Sequence, residues 1–323
     1  MKRLSIAVAA AVLAITAGAA PAVAEWPADR PIHVIVGFGA GGGTDIVSRI
    51  VAQPLSELLK QSVIVENKVG AGGTLAAEYV ARADKDGYTA LMTSPAHTVS
   101  AVMLKSVRYD AIKDYAPVSW VADSAFVFVA KKEFPANDIK GLIALAKASP
   151  GKLNFGDVGV GSTQNFAGEL LRQMAGIDVK HIPYRNTPGV VAALLSGDLD
   201  YGVELAHAVR GQVAAGKLKL LAVGSPNRWP TIPNTPTVAE SGVAGYSVVG
   251  WYGFLYPAGT PQAIVDKTNA ALKEVLSRPA IREQLEKVGA VVHVSTPAEL
   301  KKHIGDELAK WESVREKAGI QKQ

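Results

Sequence analysis

The sequence predicts an α/β protein with parallel strands, organised as two lobes. Two observations carry this. Short apolar runs alternate with longer amphipathic runs along most of the chain, the order of repeated strand–helix units. Two long β-prone stretches, residues 117–130 and 247–255, bracket a central block in which the alternation restarts. A chain that passes between two lobes twice needs two crossings. The expected lobes are residues 25–123 with 249–323, and residues 124–248.

Residues 32–38 (IHVIVGF) read as a buried first strand, followed by a glycine-rich loop and a helix from about Thr44. In that helix Ile46, Val47, Ile50, Val51, Leu55, Leu58 and Leu59 recur at a spacing of 3–4 and make one apolar face. Pro54 lies inside the pattern and, lacking an N–H, is expected to kink or split the helix. Residues 63–66 read as strand two, 70–73 as a tight loop, 74–83 as a helix and 88–93 as strand three, with His97 in the loop beyond it. The central block gives a helix at 138–148, strand 153–156, helix 162–175, strand 179–182, helix 189–195, strand 201–203, a helix ending near 212–215, and strand 218–223. The C-terminal part is mostly helical, with a strand near 290–293. Leu300, Ile304, Leu308, Trp311 and Val314 form one stripe of the last helix, read as core packing.

Residues 1–24 have the pattern of an export signal. Lys2 and Arg3 precede an apolar run, residues 4–17, and small residues lead to Ala22-Val23-Ala24, an A-x-A cleavage site. The run is too short and Ala-rich for a membrane anchor. Cleavage leaves 299 of the 323 residues and lowers the formal charge from +5 to +3. At 48% hydrophobic and 20% charged the chain is globular. It contains no cysteine, which excludes disulfides, thiolate metal sites, thiol nucleophiles and a lipidated N-terminal Cys. The small positive charge does not argue for nucleic acid.

The segment Gly37, Phe38, Gly39, Ala40, Gly41, Gly42, Gly43, Thr44, Asp45 lies between a predicted strand and a predicted helix. Glycines let a backbone approach a ligand closely, and a helix start offers free N–H groups and a positive dipole end, which suit an anion. The alternative is a tight structural turn. Gly37, Gly39 and Gly42 also satisfy G-x-G-x-x-G, with Glu66 ending the second strand, so a dinucleotide-binding enzyme is a rival. An exported chain whose signal lacks twin arginines weakens it. In the middle lobe Gly159, Gly161, Ser162, Thr163 and Gln164 also join a strand to a helix. Ser and Thr there either cap the helix or face a ligand. The six histidines form no H-x-H or H-E-x-x-H pair, and Ser162 is not in G-x-S-x-G, so no catalytic residue and no metal ligand is expected. Of the histidines, only His97 is placed near a cleft.

Several motifs resemble one family: Trp26-Pro27-Ala28-Asp29-Arg30-Pro31-Ile32, Gly41-Gly42-Gly43-Thr44-Asp45 with Arg49, Val65-Glu66-Asn67 with Gly70-Ala71-Gly72-Gly73, and Asp86-Gly87-Tyr88-Thr89. Pro183-Tyr184, Gly197-Asp198 with Asp200, Gly216-Lys217-Leu218, Thr235-Pro236-Thr237, Trp251 and Gly259-Thr260-Pro261 continue the match in order. The family is the periplasmic substrate-binding proteins of tripartite tricarboxylate transporters, the Bug family. The resemblance implies a two-lobed periplasmic-binding-protein fold (type II-like), each lobe a mainly parallel sheet flanked by helices, closing like a Venus flytrap on a ligand cleft between the lobes.

The resemblance further implies that βα loops of both lobes hold a small organic carboxylate through backbone N–H groups. Carried over, the first loop is Phe38 to Asp45 and the second is Gly161 to Gln164, with Ser94 and His97 approaching from beyond strand three. Gly37 and Val69 stand where the family commonly has Pro, Asn165 replaces a frequent His, and Arg185-Asn186 replaces a frequent Lys-Gly. These departures leave the ligand's identity open. Arg185 either pairs a second ligand carboxylate bidentately or is a surface cation. Glu204, just past a strand, is a candidate for a ligand amine or hydroxyl. The expected function is therefore carboxylate capture in the periplasm and delivery to the membrane components of such a transporter, by a monomer without cofactor, membrane anchor or nucleic-acid partner. A carboxylate sensor of the same fold is the alternative. The signal predicts a mature N-terminus at Glu25: intact mass of the periplasmic protein should give residues 25–323, and a species retaining Met1 in the membrane fraction would refute export by this route.

Overall fold

Val34 and Val36 pack on one side of the first strand and Ile35 on the other, so β1 (Ile32–Val36) is apolar on both faces and belongs inside a sheet with helices above and below. The computed structural model describes residues 26–159, 162–317 and 319–322; the expected leader, residues 1–24, lies outside them. After β1 come α1 (Gly43–Leu59) and β2 (Val63–Asn67), then a 3₁₀ turn (Ala71–Gly73), α2 (Thr74–Ala81) and β3 (Thr89–Thr93). Pro54 does not split α1, which runs unbroken. The cost of an interior proline, about 3 kcal/mol, is offset by Val47, Val51 and Leu55 of the same helix, which are all buried against the sheet.

The segment after β3 is not a loop. It forms α3 (Ala96–Met103), whose Val99, Val102 and Met103 are buried. β-Branched residues give this stretch weak helix propensity, so burial decides its conformation. The chain continues through β4 (Tyr115–Lys131), α4 (Ile139–Ala148), β5 (Asn154–Asp157), α5 (Thr163–Ala175), β6 (Lys180–Pro183), α6 (Thr187–Ser196), β7 (Tyr201–Leu205), α7 (Ala206–Ala214) and β8 (Leu218–Val223). It ends with β9 (Val249–Pro257), α8 (Gln262–Ser277), α9 (Pro279–Lys287), β10 (Ala290–Val292) and α10 (Pro297–Lys317).

The strands run in the order β2-β1-β3-β9-β4-β7-β5-β6, with β10 and β8 also paired to β4. Parallel pairing holds within β2-β1-β3 and within β6-β5-β7, and the crossing strands β4 and β9 run antiparallel to their neighbours. β4 pairs with β9 through Tyr115 to Ala125, and then with β7 and β8 from Phe126 onward. At about 3.3 Å per residue its 17 residues extend roughly 55 Å. Register shifts near Pro117, Trp120 and Phe128 bend it along the way. Phe126 and Phe128 enter the core on one face of the second sheet, and Val127 and Val129 enter the core on the other.

Helix α10 touches both sheets. Leu300 and Ile304 pack in the core of the first with Trp251 and Leu255, while Trp311 and Val314 pack in the core of the second with Phe166. The Trp311 ring meets Phe166 edge-on at 5.3 Å, and Gln173 Nε2 donates to the Val314 carbonyl at 2.9 Å.

At the carboxyl end of β1 the backbone of Gly37 lies against that of Gly73. A Cβ on Gly37 would sit 2.6 Å from Gly73 Cα, and neither backbone can move without shifting its loop. Gly37→Ala should therefore destabilise the protein by about 1–3 kcal/mol. Urea unfolding should show a lower midpoint at an unchanged slope, and an unchanged midpoint would refute the contact.

Candidate ligand-binding site

The loop from β1 to α1 is held by one buried carboxylate. Asp45 is 2% exposed, and its Oδ2 accepts the Gly41 N–H at 2.9 Å. Its Oδ1 accepts from Arg49 Nε at 3.0 Å and Asn67 Nδ2 at 2.9 Å, and Asn67 also donates to the Phe38 carbonyl at 2.8 Å. Burial pushes the Asp45 carboxyl up, but the bonds from Arg49, Gly41 and Asn67 together outweigh it and hold the pKa below the usual value. Gly41 takes φ +81°, a conformation that a side chain would strain.

This network corrects the expectation for the loop. Both oxygens of Asp45 already accept hydrogen bonds from the loop and its neighbours. The Gly41 N–H goes to Asp45 and the Gly42 N–H to the Gly39 carbonyl at 3.1 Å. The N–H groups of Gly43, Thr44 and Asp45 donate to no described residue, and they form the first turn of α1. The anion-binding capacity of the loop thus lies one to three residues later than its glycine centre. Gly42 itself has φ −74°, which any residue adopts.

The second loop is built in the same manner. Asp157, fully buried at the end of β5, accepts the Gly159 N–H at 2.7 Å through Oδ1. Its Oδ2 meets His181 Nε2 at 2.7 Å and Asn165 Nδ2 at 2.9 Å. Ser162 caps α5 by accepting the Asn165 N–H at 3.0 Å, so capping is its role in this structure. The Thr163 and Gln164 N–H groups donate to no described residue. Gly161 lies outside the described residues.

Glu204, next to the end of β7, is 0% exposed. Its Oε2 accepts from Thr187 Oγ1 at 2.8 Å, while Oε1 has no partner. Burial pushes its pKa up and Asp157 adds to the rise. Thr187, the nearby Gln164 side chain and the Leu205 backbone pull it down, and the balance is about 7. Gln164 stands close enough to lower the pKa without completing a bond of acceptable geometry to Oε1.

Three residues further on, His207 begins α7 and reaches the first loop. A Cβ on Gly43 would lie 3.5 Å from His207 Cε1 and 2.5 Å from Tyr252 Oη. Burial lowers the His207 pKa and raises that of Tyr252. Residues 204 and 207 are at most about 11 Å apart along the chain. The corner between β7 and α7 therefore contacts both Gln164 of the second loop and Gly43 of the first. Sequence reasoning missed His207 and Tyr252, because an isolated His and a strand Tyr carry no motif.

The remaining candidates separate. His97 is in the first turn of α3, 4% exposed, with Nε2 3.0 Å from the Ala111 carbonyl and its ring stacked on Tyr109 at 5.0 Å. Burial lowers its pKa to about 4. It is a core histidine, neutral at physiological pH. Ser94 and His97 border a cavity of about 10 Å³ beside Phe38, room for one water at most. Arg185 is exposed on the loop before α6 and donates to no described residue. A depression of about 830 Å³ runs along α1 and β2 and shares only Arg49 with the loop network. It is a surface groove away from the helix starts.

Among the described residues no group of three or more His, Cys, Asp or Glu is placed to hold a metal ion, and no helix is long and apolar enough to cross a membrane. The family model described as the tripartite tricarboxylate transporter family receptor matches residues 47–320. Protein BugT of Bordetella pertussis is 33% identical over 307 residues, 94% of each chain. Among solved structures, Rpa4515 of R. palustris with adipate is 31% identical with a TM-score of 0.82, over 92% of this chain and 99% of that one. MatC (Rpa3494) from Rhodopseudomonas palustris with bound malate is 31% identical with a TM-score of 0.77, over 88% and 98%. The mixed α/β fold expected from the sequence is the fold of these binding proteins. The chain belongs to the tripartite tricarboxylate transporter receptor family.

Proposed function

We propose that this chain is a periplasmic solute-binding protein, not an enzyme, that captures a small organic carboxylate between two lobes and delivers it to a tripartite tricarboxylate-type transporter. The lobes in this reading are residues 25–123 with 249–323, and residues 124–248. One observation carries the reading. The 204–207 corner contacts Gln164 at the start of α5 and Gly43 at the start of α1, and both helix starts hold N–H groups with no partner among the described residues. Unpaired N–H groups at two helix starts, together with two positive dipole ends, favour one anion between them. The adipate and malate named with two relatives are carboxylates, which supports the same class here.

The ligand-binding residues in this reading are the N–H groups of Gly43 and Thr44, with Phe38, Gly39 and Ala40 as the loop wall, and Thr163 and Gln164 opposite. Arg185, with no partner among the described residues, stands on a neighbouring loop for a second carboxylate. β4 and β9 are the segments about which the lobes would hinge. A ligand then favours the closed state by its differential affinity for it.

A ligand at about 100 times its Kd adds roughly 2.7 kcal/mol of stability, which raises Tm by about 5–10 °C for domains of this size. In a thermal-shift screen of carboxylates the free acid should give this shift and its methyl ester almost none. An ester that stabilises as well as the acid would refute the anion clamp.

Gly43→Val places a branched side chain against Tyr252 and His207 and should weaken binding at least tenfold, about 1.4 kcal/mol. Calorimetry on variant with unaltered circular dichroism checks it, and unchanged affinity removes the α1 start from the site. Loss of uptake of the identified ligand in a deletion strain tests delivery, and undiminished uptake refutes it.

A further inference from the structure

We propose that His181 is a positioning residue for the second loop: through Asp157 it sets the start of α5 so that the Thr163 and Gln164 N–H groups face a ligand carboxylate. The proposal rests on the carboxylate-binding reading above and deepens it. His181 lies on β6, opposite Phe155 of β5, and reaches along the sheet to Asp157. Its side chain is 30% exposed, whereas that of Asp157 is fully buried. The Asp157 carboxylate has only lone pairs to offer, so the hydrogen between Oδ2 and His181 Nε2, 2.7 Å apart, sits on the imidazole.

That bond heads a chain of contacts ending at the helix start. Oδ1 of the same carboxylate accepts the Gly159 N–H at 2.7 Å. The Gly159 carbonyl accepts the Ser162 N–H at 3.1 Å. Ser162 Oγ accepts the Asn165 N–H at 3.0 Å, and Asn165 Nδ2 returns to Asp157 Oδ2 at 2.9 Å. Gly159 takes φ +103°, so its backbone needs to be held from elsewhere. The ring of bonds closes on Asp157, and His181 enters it from outside the strand-to-helix segment, from the next strand.

Among the described residues no Lys or Arg pairs with Asp157, and Arg172 of α5 is held by both oxygens of Glu169 at 2.8 and 2.9 Å. Without His181 the buried carboxylate is short of one donor. That is costly, and the cost is recovered by turning toward another donor. The turn releases Gly159 and with it Ser162. The imidazole also lies 5.8 Å from the Phe155 ring. Packing alone would make His181 merely structural, and the two roles use different parts of the side chain.

The test separates the donor from the ring. His181→Gln keeps an N–H that can reach Oδ2 and loses the ring, while His181→Phe and His181→Leu keep apolar volume and lose the donor. Amide hydrogen exchange should show Gly159 protected in the wild-type chain, about tenfold or more less protected in His181→Phe and His181→Leu, and within about threefold of wild type in His181→Gln. Calorimetry with adipate and with malate should follow the same order. An acid that binds the wild-type chain should bind His181→Phe and His181→Leu about tenfold or more weakly, and His181→Gln within about threefold. An unprotected Gly159 amide in the wild-type chain, or retention in His181→Phe with loss in His181→Gln, would overturn the proposal and leave carboxylate binding standing. The wild-type measurement holds even where a variant does not fold. If neither acid binds the wild-type chain, the carboxylate reading is what fails, and exchange at Gly159 and Ser162 decides the role of His181.

Discussion

The architecture depends on one strand. β4 is hydrogen-bonded to β9 and β10 in the first sheet and to β7 and β8 in the second, so both sheets are positioned from the same backbone. A strand of 17 residues is about three times the usual length. It tolerates that length because it bends at its bulges and because Phe126 and Phe128 enter one core while Val127 and Val129 enter another. Every other element can be placed by its distance from this ladder. The C-terminal helix adds a second tie, with Leu300 and Ile304 on one sheet and Trp311 on the other. Any relative movement of the two sheets would have to be taken up by β4 and β9 together with α10.

The two glycine loops solve one problem in the same way. A loop that is to leave N–H groups unpaired at a helix start needs its own backbone held from elsewhere. In the first sheet Asp45 accepts the Gly41 N–H and is supported by Asn67 and Arg49. In the second, Asp157 accepts the Gly159 N–H and is supported by Asn165 and His181. Each carboxylate is buried and accepts bonds through both oxygens. Asn165, where the resemblance led us to expect His, donates to Asp157. Against these two satisfied carboxylates the orphan oxygen of Glu204 is the exception.

The sequence by itself determined the fold class and most of its elements. A continuous apolar run marked β1, and the 3–4 spacing marked α1 except at Pro54, where a break was expected and burial of Val51 and Leu55 prevails, because a strand buried on both faces and a helix buried on one leave different periodicities. The positions of the glycine loops between strand and helix were legible for the same local reason. What the tertiary structure decided is what depends on distant partners. α3 forms because Val99, Val102 and Met103 find a core, against weak local propensity, and this carries His97 from an expected loop into a stack on Tyr109. Asp45 changed from a candidate ligand group to a clamp because Asn67, 22 residues away, meets it. His207 and Tyr252 came to the first loop because β7 and β9 flank the crossing strand. No pattern along the chain encodes that adjacency, since it arises only when β4 brings the two sheets onto one ladder.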